Sequence, residues 1–143
     1  MAITQLSAFL ENTPGTLYDA VSKISEAGAN MRALSLADTK DFGILRVIVS
    51  DVEKAKDALS DSMIAIETKV IAVKMSDKAG ALKDILKVLQ EANINIEYVY
   101  AFTSTVQGAA YVVLRVDEIE EAENVLSRNG MITLSDSDLE GLL

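Results

Sequence analysis

The sequence predicts an α+β fold built from two similar units, each running strand, helix, strand, strand, helix, strand. Three observations carry that reading. First, the chain repeats itself: a shift of 65 positions places Gly15 on Gly80, Leu17 on Leu82, Asp19 on Asp84, Glu26 on Glu91, Ala27 on Ala92, Asn30 on Asn95, Gly43 on Gly108 and Val47 on Val112. After a two-residue insertion in the second copy, Asp51 to Leu59 follows the pattern of Glu118 to Leu126. Such internal repetition decides the architecture and has to be read first. Second, short apolar runs alternate with stretches whose apolar residues recur at helical spacing. Third, half of the 143 residues are hydrophobic and one is proline, which favours a packed core over disorder, and the length allows two small domains.

In the first copy, Ile3 to Leu10 is short and apolar enough for a strand. Leu17, Val21 and Ile24 then recur at helical spacing, and Gly28 closes that helix. Asn30 to Ala37 and Ile44 to Val49 read as strands joined by the loop Asp38 to Gly43. Ser50 or Asp51 caps a second helix carrying Val52, Ala55 and Leu59, and Met63 to Val70 returns as strand. The second copy repeats the order: strand Val70 to Met75, helix Ala79 to Ala92, strands Asn95 to Phe102 and Ala109 to Val116. Asp117 and Glu120 have the spacing of a capping box for the next helix, which carries Ile119, Ala122 and Val125. Met131 to Leu134 forms the last strand, and Ser135 to Leu143 a short acidic and apolar tail.

Two such halves folded together give the ferredoxin-like sandwich, an antiparallel sheet with two helices on one face. The domains are residues 1–68 and 69–143. Met63 to Met75 contains neither Gly nor Pro, so one strand is expected to run directly from the first domain into the second and to couple them. The central strands are apolar on both faces: Leu45, Val47 and Val49 alternate with Ile44 and Ile48, and Val99 and Ala101 with Ile96, Tyr98, Tyr100 and Phe102. Helices cover one face only, so the other calls for a second sheet or a second subunit.

Composition excludes several kinds of chemistry. The absence of cysteine removes disulfides, thiolate metal sites and thiol nucleophiles. The absence of histidine removes the commonest general base and metal ligand at neutral pH. Thirteen basic against twenty-two acidic residues give a net charge of −9, which repels nucleic-acid phosphates and anionic lipids and argues against both partners. No apolar run reaches the length of a membrane span, and no signal peptide is visible. The protein is expected to be cytoplasmic. Asp136 and Asp138 suit a capped turn better than a hydrolytic dyad, and no glycine-rich phosphate loop occurs. No motif specific for an enzyme or for a cofactor is present, so the reading is not an enzyme, with no cofactor and no metal.

The stretch with binding chemistry is Glu11 to Leu17. Thr13 is placed as N-cap and Pro14 at the first helical position, with Gly15 and Thr16 offering amides that no helical carbonyl can use. A helix start with bare amides can receive an anion such as a carboxylate; on these residues alone a plain well-capped strand-to-helix turn is the commoner explanation. Asn12 precedes the helix and Asn30 opens the next strand, and the two are expected side by side at one end. Together they would offer donor and acceptor to a ligand bearing a carboxylate and an ammonium. Asn95 repeats Asn30 in the second copy.

Asn12-Thr13-Pro14-Gly15-Thr16-Leu17, followed by Gly28-Ala29-Asn30-Met31, resembles the signature of ACT domains, regulatory modules that bind amino acids. The resemblance covers nearly the whole chain as two tandem units. It implies a ferredoxin-like fold, side-by-side pairing into an eight-stranded sheet, and an amino acid held between ACT units by the loop before the first helix and the strand-opening asparagine of a neighbour. It therefore assigns ligand-binding roles to Asn12, Thr13, Pro14, Gly15, Thr16, Leu17 and Asn30, and to Asp77, Gly80 and Asn95 in the second copy. The second copy departs from the signature, with Asp77 where Asn12 stands and Ala79 where Pro14 stands. A carboxylate at Asp77 repels a ligand carboxylate and attracts its ammonium, so the two loops are unequal.

Most members carry ACT units attached to an enzyme or a transcription factor. This chain is expected to be a stand-alone tandem regulator, a homodimer that binds an amino acid and acts on a separate metabolic enzyme. The alternative is a ligand-free subunit whose apolar sheet face docks a catalytic partner. Phe42, Tyr98, Tyr100 and Phe102 are the aromatic residues nearest the candidate strands, placed either to line a pocket or to pack the core.

Overall fold

Side-chain alternation along the first strand, β1 (Ile3–Glu11), places Leu6, Ala8 and Leu10 on one face, where the helices cover them. The computed structural model describes residues 2–103 and 108–142, and its chain divides into two compact units, Thr4–Thr68, and Lys69–Leu142 together with the residues up to Ile3. Leu143, the end of the expected tail, lies outside the described residues.

In the first unit β1 leads to α1 (Thr16–Glu26), β2 (Met31–Asp38), β3 (Phe42–Val49), α2 (Val52–Ser60) and the first part of β4 (Ile64–Ser76). The strand order is β2-β3-β1-β4, with β3 antiparallel to both β1 and β2. Ala20 and Ile24 of α1 and Ala55 and Leu59 of α2 close over Leu6, Leu45 and Val47. Asp51 caps α2, its carboxylate accepting from the Lys54 amide at 3.1 Å. Gly28, at φ +82°, ends α1 in the left-handed conformation, with its amide on Ser25 O at 3.0 Å and the Ala29 amide on Ile24 O at 3.2 Å.

The second unit takes the rest of β4, then α3 (Ala81–Glu91), β5 (Ile96–Thr103), β6 (Ala109–Val116), α4 (Ile119–Arg128) and α5 (Asp136–Leu142). Its strands run β4-β6-β5, and Ile85, Leu89, Ala122 and Leu126 cover Ile71, Val73, Val112 and Leu114. Asn93, at φ +57°, does for α3 what Gly28 does for α1, and asparagine is the residue that best replaces glycine there. As expected from the run without Gly or Pro, β4 is one continuous strand. Burial on the sheet face away from the helices also follows expectation: Ile48, Ala72 and Val113 are no more than 1% exposed.

The structure corrects four local expectations. The two-residue insertion lies in the hairpin, with three residues (39–41) between β2 and β3 and five (104–108) between β5 and β6. Leu6 faces Val47 and Ile71 faces Leu114, so Val47 corresponds to Leu114 rather than to Val112, and Gly43 does not correspond to Gly108. Asp117 and Glu120 form no capping box: Glu118 is the N-cap without a side-chain bond, and Asp117 instead accepts from the Asn95 amide at 3.1 Å. Met131 to Leu134 is reduced to a bridge between Thr133 and Val73, flanked by Lys74 N–H on Ile132 O and Leu134 N–H on Ala72 O, both 2.9 Å. The tail forms α5. Its start is a reciprocal cap in which Ser135 N–H donates to Asp138 Oδ2 at 2.8 Å and Asp138 N–H to Ser135 Oγ at 3.2 Å. Donation from the Ser135 amide, and from its hydroxyl at 2.9 Å, holds the Asp138 carboxyl below the ordinary carboxylate value. Among the described residues there are six strands.

Candidate ligand site at the helix starts

The turn between β1 and α1 is held by backbone. Thr13 N–H donates to Glu11 O at 2.9 Å, Thr16 N–H to Thr13 O at 3.4 Å, and Asp19 N–H to Gly15 O at 3.0 Å. Gly15 is the N-cap, in the left-handed region at φ +89° and with no side-chain cap bond. Thr13 and Pro14 therefore lie outside the helix, each two residues earlier than a cap and a first helical position require. The left-handed glycine turns the chain into the helix, so neither a hydroxyl cap nor a proline is needed to start it. The Thr16 hydroxyl is spent within the turn, donating to Glu11 O at 2.8 Å and to Thr13 O at 3.0 Å.

Among the described residues the amides of Gly15, Leu17 and Tyr18 have no carbonyl partner. A Cβ built on Gly15 meets nothing within 4 Å, so this end of the helix is open. Such a cluster of amides, with the partial positive charge of the helix end, suits a carboxylate. Asn12 stands beside it, its own amide on Asp41 O at 3.1 Å and its side-chain amide on Thr39 O at 3.4 Å.

The second unit reproduces this turn bond for bond. Lys78 N–H reaches Ser76 O at 2.9 Å, Ala81 N–H reaches Lys78 O at 3.3 Å and Asp84 N–H reaches Gly80 O at 3.1 Å. Gly80 is again a left-handed N-cap, at φ +92°, without a side-chain bond. Asp77 N–H donates to Gly108 O at 2.9 Å, as Asn12 does to Asp41.

Asn30 is not beside Asn12. Its amide donates to Ser50 Oγ and its carbonyl accepts from the Ser50 amide, both at 2.9 Å, so it sits where β3 ends. Asn12 is tied to the hairpin where β3 begins. The eight residues of β3 separate the two, about 25 Å at the rise of an extended strand. The reason is topological: α1 runs back along the sheet, so the strand after it opens at the far end. Asn95 is placed likewise, bonded to Asp117 at 3.1 and 3.3 Å, away from Asp77. Asn30 lines a shallow cavity of its own with Ser25, Gly28, Ala29 and Met31.

Each unit also holds a cavity on the helix side of the turn, which the sequence did not announce. In the first it measures about 290 Å³ and is lined by Phe9, Leu10, Glu11, Thr16, Asp19, Lys23, Ser62 and Met63. Lys23 Nζ donates to Ser62 Oγ across it. In the second it measures about 420 Å³. The recurrence of Asp19 as Asp84 was the available signal, and both residues line these cavities. Of the aromatic residues singled out, Phe42 is 57% exposed and Phe102 stacks on Tyr111 with centroids 5.1 Å apart; neither lines a cavity described here. Among the described residues no group of acidic side chains is arranged to hold a metal ion, and no helix is long and apolar enough to cross a membrane.

Comparison with known proteins matches residues 1–143 to the family model described as an ACT domain pair. A search of curated proteins returns no match. Among solved structures, protein BT0572 from Bacteroides thetaiotaomicron is 36% identical, with 98% of this chain and 96% of that one covered and a TM-score of 0.90. The ligand-free regulatory subunit of aspartate kinase from Thermus thermophilus is 16% identical, with 87% of each chain covered and a TM-score of 0.65. The corresponding subunit from Thermus flavus is also 16% identical, covers 87% and 88%, and has a TM-score of 0.63. At that identity the likeness to the kinase subunits is one of fold.

Proposed function

The chain belongs to the ACT domain family, and from that premise we propose that it is a regulatory protein that binds a small ligand, an amino acid, at the start of its first helix. The observation that carries this is the open, uncapped helix start at Gly15, with the unpartnered amides of Leu17 and Tyr18 beside the Asn12 side chain. The amides receive the ligand carboxylate, and the Asn12 carbonyl oxygen accepts from its ammonium. Thr13, Pro14 and Thr16 shape the turn. Asn30 lies too far off to serve the same ligand within its own unit, so its part is to face the turn of another ACT unit. In the second unit Gly80 keeps the open helix start, while Asp77 shifts the preference toward the ammonium end of a ligand, with Asn95 as its distant counterpart.

A homodimer fits this reading. Among the described residues β2 pairs only with β3, and it exposes Leu34 and Leu36, 50% and 46% accessible. A second copy pairing along such an edge would set the four strands of one first unit beside the four of the other, eight in all. The ligand acts by favouring one arrangement of the units over another, since it shifts only an equilibrium between states that it distinguishes. The regulated partner is a separate metabolic enzyme. No catalytic step is assigned to the chain, and the expected setting is the cytoplasm.

The test is a thermal-shift screen against the twenty amino acids. A ligand present at a hundred times its dissociation constant adds about 2.7 kcal/mol of stability, and Asn12→Ala should remove most of that gain. No shift with any amino acid would reject ligand binding. It would favour the second reading, a subunit that docks a catalytic partner through its sheet face, for which the exposed Phe9, Phe42 and Ile66 on that face speak.

A further inference from the structure

The two helix-side cavities occupy the same place in their units. Leu10 of the first corresponds to Met75 of the second, Thr16 to Ala81, and Asp19 to Asp84. Met63 and Met131 close the far wall, each with its amide bonded to the last turn of the preceding helix at 3.0 Å. What changes between them is how the space is filled. In the first unit Lys23, one helical turn after Asp19, lies in the cavity, and its ammonium donates to the hydroxyl of Ser62, the residue before Met63. The second unit lacks both ends of that bond. Val88 stands one turn after Asp84, and Gly130 precedes Met131. Its cavity is correspondingly larger, about 420 Å³ against about 290 Å³. The carboxylate has stayed and the ammonium has gone.

We propose that the second cavity binds a primary amine, an ammonium group on a short alkyl chain, where the first unit places its own Lys23 side chain. Asp84 receives the ammonium. Among the described residues its carboxylate has no hydrogen-bond or ion-pair partner. Met75 and Met131, both packed against the core on the helix side, give the alkyl chain an adaptable apolar wall. Ala81 extends that wall where Thr16 brings a hydroxyl in the first unit. Lys74 borders the cavity, but alternation with Val73 and Met75 turns its side chain to the other face of the sheet. Lys78, exposed in the turn before α3, is a cation at the rim, and solvent screens its repulsion of the amine. The volume of about 420 Å³ falls within the range of roughly 300–1,000 Å³ common for small-molecule sites, and the first cavity falls just below it. None of Asp77, Gly80 and Asn95 lines the second cavity, so the proposal stands apart from the helix-start site.

Amide NMR titration of the whole chain with n-butylamine, and with n-butanol as its uncharged analogue, tests it. The amine should shift the amides around Asp84 and Met131 saturably, about three- to fivefold more tightly than the alcohol, and leave those around Asp19 and Met63 in place. Asp84→Asn should erase the advantage over butanol, and Lys78→Gln should bind the amine at least as tightly as the parent. Both positions are exposed, and an unchanged melting temperature without ligand verifies that these variants fold. Val88→Lys supplies an internal ammonium and should exclude the amine. The converse variant, Lys23→Val with Ser62→Gly, empties the first cavity and should create a second site, read as new shifts around Asp19 and Met63. The proposal is overturned by no saturable shift at Asp84, by equal affinity for amine and alcohol, or by amine binding that Asp84→Asn leaves intact. Weaker binding in Lys78→Gln would overturn it as well, because it would mark a ligand recognised through its carboxylate.

Discussion

The first and second units set the same backbone with different side chains, and the pairs that differ show what each turn depends on. At the entry to the first helix, Asn12, Pro14 and Thr16 stand in one unit and Asp77, Ala79 and Ala81 in the other. Yet the three amide-to-carbonyl bonds of the turn recur with lengths within 0.1 Å of one another. Only the left-handed glycine is common to the bend itself. Backbone geometry and glycine therefore build the turn, which leaves its side chains free to diverge. At the exit of the same helix the units differ in the turn residue too, with Gly28 in one and Asn93 in the other. There a short polar side chain tolerates the left-handed conformation that a branched one would not.

The comparison breaks most sharply in the cores. Leu6→Ala and Ile71→Ala, at corresponding and fully buried positions, should each cost about 2–5 kcal/mol in urea unfolding. Unequal m-values between the two variants would show that the units do not unfold together. Next in size, Gly15→Ala and Gly80→Ala should each cost about 1–2 kcal/mol, since neither Cβ meets a neighbour and only the backbone conformation resists. A clear difference between them would mean that side chains support one turn more than the other. Smallest is the exchange at the third position. Thr16→Ala should lose about 0.5–1 kcal/mol with its two hydroxyl bonds, and Ala81→Thr should gain up to the same amount.

The order of elements was legible because apolar spacing reports which face is covered, and Leu17, Val21 and Ile24 carry that signal without help from the tertiary structure. Gly28 and Asp51 were legible as helix punctuation for local reasons as well. Register was not. Gly43 and Gly108 coincide by identity, but one lies within β3 and the other in a turn at φ +82°, and only cross-strand pairing distinguishes them. The cap at Thr13 misled because a left-handed glycine can start a helix with no polar side chain. Asn12 and Asn30 looked like partners because both flank α1, and a helix carries its two ends apart. The second cavity left no pattern, since its walls come from a strand, a loop and a helix that only folding brings together.

The unequal hairpins set the rules for exchanging material between the halves. Up to the end of β2, a donor segment in one unit and its recipient in the other are 65 residues apart, and from β3 onward 67. A chimera spliced by sequence identity across Gly43 and Gly108 would shift a strand by two residues, which keeps its inward and outward faces but slides every cross-strand neighbour. Crossovers placed before residue 39 or after Val49 avoid that slip, and they allow the helix-start loop of either unit to be moved whole.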